Sequence, residues 1–168
     1  KNGATMYVIP KVMFSFPAKL ITYMNEKRIN TIIWAVSALR IIENLNAFTG
    51  ELPGYLRTAM FSGEVMHNKV LNYWRRYLPD VNYVNLYGPT EITCNCTFYK
   101  VDRSFADEEV LPIGTAFLNS GVFLLDGDRL VEERNVPGEI CVRGSSLALG
   151  YYNNPEKTSE SFCQNPLN

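Results

Sequence analysis

Between residues 5 and 87 the chain alternates short β-branched apolar runs with longer runs whose apolar positions recur every three or four residues. A period of two lines one face of a strand and a period near 3.6 lines one stripe of a helix, so the alternation predicts strand, helix, strand units around a parallel sheet. Strands are expected at 5–10, 30–36, 56–62 and 81–87. Pro17 opens a first helix with Leu20, Ile21 and Met24 inward. Ser37 caps a second, with Leu39, Ile42 and Leu45 inward. A third helix over 67–78 has Val70, Leu71, Trp74, Tyr77 and Leu78 on one stripe, and its phase makes Trp74 a core residue.

After residue 100 the pattern changes. "DRSFADEE" reads as a solvated charged linker, and the strand-like runs "GVFLLD" and "GEICVRG" follow it. Asp126-Gly127-Asp128 is a turn signal between two apolar runs, which predicts antiparallel hairpins. The carboxylates of Asp126 and Asp128 therefore belong to a turn and not to an acid–base pair. "NPEKTSESF" predicts a terminal helix entered through Pro155. The expected fold class is α/β, a parallel sheet with flanking helices over 1–105, followed by a small antiparallel, barrel-like β-rich part over 106–168. No internal repeat or low-complexity stretch interrupts it.

Composition narrows the partners. With 168 residues, 46% of them apolar, the chain is long enough to bury a core. Lysine plus arginine (16) nearly balances aspartate plus glutamate (17), so no long-range field favours nucleic acid or an anionic membrane. No apolar run has the length of a membrane span and no secretion signal is visible, which points to a cytoplasmic location. Four cysteines, Cys94, Cys96, Cys141 and Cys163, have neither disulfide nor zinc spacing and are expected to be buried and reduced. The chain begins at Lys1 without methionine and ends on the loop-like "FCQNPLN", as expected of a piece of something longer.

In an open parallel sheet, ligands bind outside the carboxyl ends of the strands. Polar or glycine-containing turns are expected there at Val36-Ser37, at Ser62-Gly63-Glu64 and at Gly88-Pro89-Thr90-Glu91. Each suits part of a nucleotide: Gly63 for close approach to a flat ring, Tyr87 for stacking, the amide of Asn85 for a ring edge, the hydroxyl of Thr90 for phosphate and the carboxylate of Glu91 for Mg²⁺. A plain turn with a helix cap would read the same way. His67, the lone histidine, sits at a helix start with no nucleophile pattern, and Lys69, Arg75 and Arg76 form the wet side of the third helix.

"NLYGPTE", with "FSGEVM" before it and "PIGTAFLNSGVFLLD…VPGEICVRGSSLALGYYNNPEKT" after it, resembles the adenylate-forming enzymes. Within them it is most similar to amino-acid adenylation domains of nonribosomal peptide synthetases and to D-alanyl carrier protein ligases, although the latter often carry cysteine where Ser62 stands. The resemblance implies activation of a carboxylate by ATP to an acyl-adenylate and pyrophosphate, then a thioester on the phosphopantetheine arm of a peptidyl or acyl carrier protein. It implies that Tyr87 stacks on adenine, that Asn85 and Leu86 lie along the base and acyl pocket, and that Gly63, Glu64 and Val65 pass over the adenine. Gly88 and Thr90 would lie at the nucleotide, with Thr90 on phosphate and Glu91 on Mg²⁺. Ser62, Leu86, Cys94 and Asn95 would lie near the substrate side chain.

A lysine-bearing Ser/Thr/Gly-rich loop and the aspartate that holds a substrate amino group do not occur in this sequence. The expectation is therefore a fragment of an amino-acid-activating ligase, inactive alone. The alternatives are a non-catalytic interaction module of the same fold, or a fragment of an acyl-CoA or aryl-acid ligase.

Overall fold

A computed structural model describes residues 3–164; Lys1 and the end of "FCQNPLN" lie outside the described residues. Two compact units result: the chain up to Asn85 together with Lys100–Leu111, and Leu86–Tyr99 together with the chain from Pro112 onward. The division runs through a strand, not at the composition change near residue 105.

In the first unit, β1 (Thr31–Ala35), β2 (Thr58–Ser62) and β3 (Asn82–Tyr87) are parallel, registered Thr31↔Thr58 and Thr58↔Asn82. The connections carry α1 (Pro17–Glu26), α2 (Val36–Asn44) and α3 (Asn68–Tyr77), the crossover arrangement that parallel pairing requires. Leu20, Ile21, Met24, Val36, Leu39 and Ile42 are buried, as is the sheet face carrying Ile32, Ala59, Phe61 and Tyr83. Each fully buried apolar side chain of this size contributes roughly 1.5–3 kcal/mol before entropy is counted. Trp74 is the centre of the unit at 1% exposure. Its indole N–H donates to Leu39 O at 3.1 Å, and its ring meets Phe48 edge-on at 4.8 Å. On the opposite sheet face burial rises across the strands, from Ile33, 64% exposed on β1, through half-buried Met60 to buried Val84 on β3.

The structure corrects four expectations here. Residues 5–10 form no strand: Met6 and Val8 are exposed and no strand pairs with them among the described residues, so their alternation has nothing to pack on. A 3₁₀ turn at Lys11–Ser15 follows. Helix α2 starts one residue before Ser37, with Ala35 as N-cap and no side-chain cap, and Leu45 is exposed at its end. "DRSFADEE" is no free linker. Phe105 is buried; Asn68 Nδ2 donates to Ala106 O (3.0 Å) and Glu109 O (2.7 Å); Asn72 Nδ2 donates to Phe105 O (3.0 Å). Two asparagines one helical turn apart thus bind the segment to α3.

In the second unit, β3 ends at Tyr87 and a 3₁₀ turn at Thr90–Ile92 leads into β4 (Thr97–Lys100), which pairs antiparallel with β5 (Thr115–Ala116). The larger sheet runs β1-β2-β3-β4-β5; its seam is Val101 N–H to Tyr83 O at 2.9 Å in the first unit and Cys96 N–H to Tyr87 O at 2.8 Å in the second. The smaller sheet is antiparallel, β7 (Arg129–Leu130), β6 (Ser120–Asp126) and β8 (Glu139–Gly144) in that order. Asp126 pairs with Arg129 across the expected hairpin. Helix α4 (Pro155–Ser161) is capped by Asn154, whose side chain accepts the Lys157 N–H at 3.0 Å. No cysteine is paired, and of the four only Cys96 is fully buried. No described helix is long and apolar enough to cross a membrane.

Candidate functional site

The first unit places Ser62 as the last residue of β2 and Gly63, Glu64 and Val65 in the turn leaving it, at the carboxyl end of the parallel strands. Gly63 has φ +88, which an L side chain resists, while nothing lies within 4 Å of where a Cβ would stand. The residue is glycine for its conformation, and the space above it is open. Val65 is 70% exposed. Glu64 lies 3.7 Å from the Arg40 guanidinium, an ion pair too exposed to contribute more than about 1 kcal/mol. Asn85 is buried and registered with Phe61, the residue before Ser62.

The second unit holds Leu86, Tyr87, Gly88, Thr90, Glu91, Cys94 and Asn95. Pro89 cannot continue the ladder, and buried Ile92 anchors the 3₁₀ turn that follows it. Thr93 and Cys94 both take left-handed backbone conformations, φ +59 and +87. They reverse the chain so that Cys94 and Asn95 fold over Gly88. A Cβ on Gly88 would stand 2.6 Å from Asn95 Cα and 2.8 Å from Cys94 O. Asn95 Nδ2 donates to Cys94 Sγ at 3.2 Å.

The turn is tied to the segment after β8. Ala148 N–H donates to Glu91 O at 2.8 Å, and Thr93 Oγ1 donates to Ser146 O at 2.7 Å. The Tyr151 phenol donates to Glu91 Oε1. That bond, helped by Glu91's own N–H and by Lys157, holds the Glu91 carboxyl below the usual carboxylate range and pushes the Tyr151 phenol up. A charged oxygen donor is thus present at neutral pH. No group of three or more His, Cys, Asp or Glu side chains able to hold a metal occurs among the described residues. A lone carboxylate fits a hard cation that brings phosphate and water ligands with it, not a resident metal.

Sequence reasoning did not single out Tyr151 or Thr158. They lie 60 and 67 positions beyond Glu91, and although Thr158 falls in the expected terminal helix, no local signal links either residue to Glu91. His67 is exposed at the N-cap position of α3 without capping it by its side chain. Lys69 faces out, but Arg75 is half-buried and donates to Arg103 O at 2.6 Å. A cavity of about 480 Å³ in the first unit lies toward the amino ends of β2 and β3, lined by Thr58, Arg75, Asp80, Asn82 and Lys100 among others; no expected site residue lines it.

The family model described as "AMP-binding enzyme" matches residues 1–152. The chain belongs to the AMP-binding enzyme family. As an AMP-binding enzyme chain it is 35% identical over 166 residues to tyrocidine synthase 3 of Brevibacillus parabrevis, which covers 99% of this chain and 2% of the relative. It superposes on the crystal structure of IdnL1 with a TM-score of 0.84 at 28% identity, covering 95% of this chain and 33% of that one. For PA1221, an NRPS protein containing adenylation and PCP domains, the TM-score is 0.73 at 26% identity, covering 84% of this chain and 28% of that one. The chain therefore spans a small part of the relatives it matches. Its five-stranded mixed sheet with flanking helices and small antiparallel sheet is the architecture of these adenylation-domain neighbours.

Proposed function

We propose that this chain is part of an ATP-dependent ligase that activates an amino acid or a related carboxylate. In the reaction, a substrate carboxylate oxygen attacks the α-phosphorus of ATP, pyrophosphate leaves with the broken phosphoanhydride electron pair, and an acyl-adenylate forms. The thiol of a carrier protein's phosphopantetheine then displaces AMP to give a thioester. The observation that carries this reading is Glu91, an ionised carboxylate fixed through both backbone and side chain on the turn that follows a parallel strand. The family match and the similarity to tyrocidine synthase 3 support it.

In this reading Tyr87 stacks on adenine, Asn85 meets the base edge, and Gly63, Glu64 and Val65 pass over the ring. Thr90 donates its hydroxyl to a phosphate oxygen, and Glu91 takes Mg²⁺ arriving with the triphosphate. Ser62, Leu86, Cys94 and Asn95 face the acyl side chain. Bound Mg²⁺ supplies Lewis-acid stabilisation of phosphate charge; the fixed donors of the chain add to it because they need no reorganisation during reaction. The carrier partner is supported by the neighbour PA1221, an NRPS protein containing adenylation and PCP domains. We place the reaction in the cytoplasm, and expect no amino-acid-dependent pyrophosphate exchange from the 168-residue chain alone.

The test is ligand-observed NMR of the chain with AMP at millimolar concentration. Saturation transfer to the adenine protons, lost in Tyr87→Ala, is the expected result. No transfer, or transfer indifferent to Tyr87→Ala, refutes the assignment.

A further inference from the structure

The reading of Glu91 as a cation ligand leaves open how one carboxylate on a turn keeps a single orientation. The answer lies in a chain of contacts within the second unit. Tyr151 donates its phenol to Glu91 Oε1 and leaves Oε2 unengaged by that contact. The Tyr151 backbone is itself held: its N–H donates to Thr158 Oγ1 at 2.9 Å, and Thr158 Oγ1 in turn donates to Asn154 O at 2.7 Å at the start of α4. Gly150, at φ +140, lets the chain pass so close to Thr158 that a Cβ there would stand 2.5 Å from Thr158 Cγ2. Phe162 meets the Tyr151 ring edge-on at 5.5 Å. Ala148 N–H to Glu91 O, at 2.8 Å, fixes the backbone of the same residue from the same segment. Outer partners of a ligating carboxylate fix its orientation, and their loss typically costs 10–100-fold in metal affinity.

We propose that Tyr151, anchored by Thr158, is the positioning residue for Glu91, holding its carboxylate in the orientation in which a divalent cation meets it. This rests on the reading of Glu91 as the cation ligand. The sequence block "GYYNNPEKT" thereby acquires a role, since it carries both the phenol and the helix start that aims it.

The experiment titrates Mn²⁺ with ATP into the 168-residue chain, following free Mn²⁺ by EPR, with far-UV CD to verify folding of each variant. Tyr151→Phe, which removes only the hydroxyl, should weaken Mn²⁺ binding by about tenfold. Thr158→Val should weaken it in the same direction, while Thr158→Ser, which keeps the hydroxyl, retains it; this pair carries the test if Tyr151→Phe does not fold. Glu91→Gln should abolish protein-dependent Mn²⁺ binding. If Glu91→Gln loses binding while Tyr151→Phe and Thr158→Val keep it, the positioning role is overturned and the ligand reading stands. If Glu91→Gln binds Mn²⁺ as well as the unsubstituted chain, or that chain binds none, both are overturned.

Discussion

Gly88→Ala tests whether the turn after β3 is as tightly closed as its geometry states. Gly88 has no left-handed conformation to defend, so alanine is acceptable to its own backbone. The obstacle is space. The added methyl would stand 2.6 Å from Asn95 Cα, 2.8 Å from Cys94 O and 2.8 Å from Ile92 Cδ1. Against the ~3.5 Å at which carbon atoms rest, the first contact is short by about 0.9 Å. Two of the three obstacles are backbone, held by Cys96 N–H to Tyr87 O at 2.8 Å and by Thr93 Oγ1 to Ser146 O, so no rotamer change relieves them. Overpacking of this kind costs about 1–3 kcal/mol, and the lost freedom of glycine in the unfolded chain returns about 0.4–1 kcal/mol. With two backbone atoms closer than 3 Å the upper half of that cost applies, and the net expectation is a loss of about 1–2.6 kcal/mol.

Urea denaturation followed by far-UV CD reads the total, and hydrogen exchange of the Cys96 amide reads the turn locally. Ile92→Val, which removes the Cδ1 atom, should cost about 0.5–1.5 kcal/mol alone and measurably less in the Gly88→Ala background. A neutral or stabilising Gly88→Ala, the outcome of the entropy contribution by itself, would refute the close approach of residues 94 and 95.

Other outcomes follow from the first unit. Trp74→Ala should destabilise it by about 3–5 kcal/mol, read by urea denaturation with the fluorescence of Trp34; a loss below about 1 kcal/mol would remove Trp74 from the centre of the core. Asn68→Ala removes two part-buried hydrogen bonds, to the carbonyls of Ala106 and Glu109, at about 1–3 kcal/mol together, and should speed tryptic cleavage after Arg103; unchanged cleavage would show that the segment holds without it. Glu109 is held below the usual carboxylate range by Arg103 and the Ala106 N–H. A depressed carboxyl stabilises above its unfolded value of about 4.3 and loses that as pH falls through the folded value, so Glu109→Gln should flatten the acid-side fall in stability below about pH 4.5. An unaltered pH profile would count against the pairing.

Local pattern was sufficient for the three helices, three of the four expected parallel strands and the Asp126 hairpin, because each is written in a repeat of two or 3.6 or in turn chemistry. It failed for residues 5–10, where alternation exists without a neighbour, and for "DRSFADEE", where eight residues with five charges carry one phenylalanine that tertiary contacts bury. Ser37 shows the same limit, since a good capping residue does not decide where a helix starts when the preceding valine can be buried in its first turn.

The amino-acid sequence by itself determined the order of elements, the polar turns at the strand ends and the residue types of the Gly88-Pro89-Thr90-Glu91 turn, all of which depend on neighbours a few positions apart. Only the tertiary structure decided that Gly88 lies under Cys94 and Asn95, that α3 holds the 102–109 segment, and that a phenol 60 residues downstream grips Glu91. The first depends on two left-handed residues in one short turn and the other two are pairings between distant parts of the chain, and no local periodicity encodes which distant hydroxyl a carboxylate will meet.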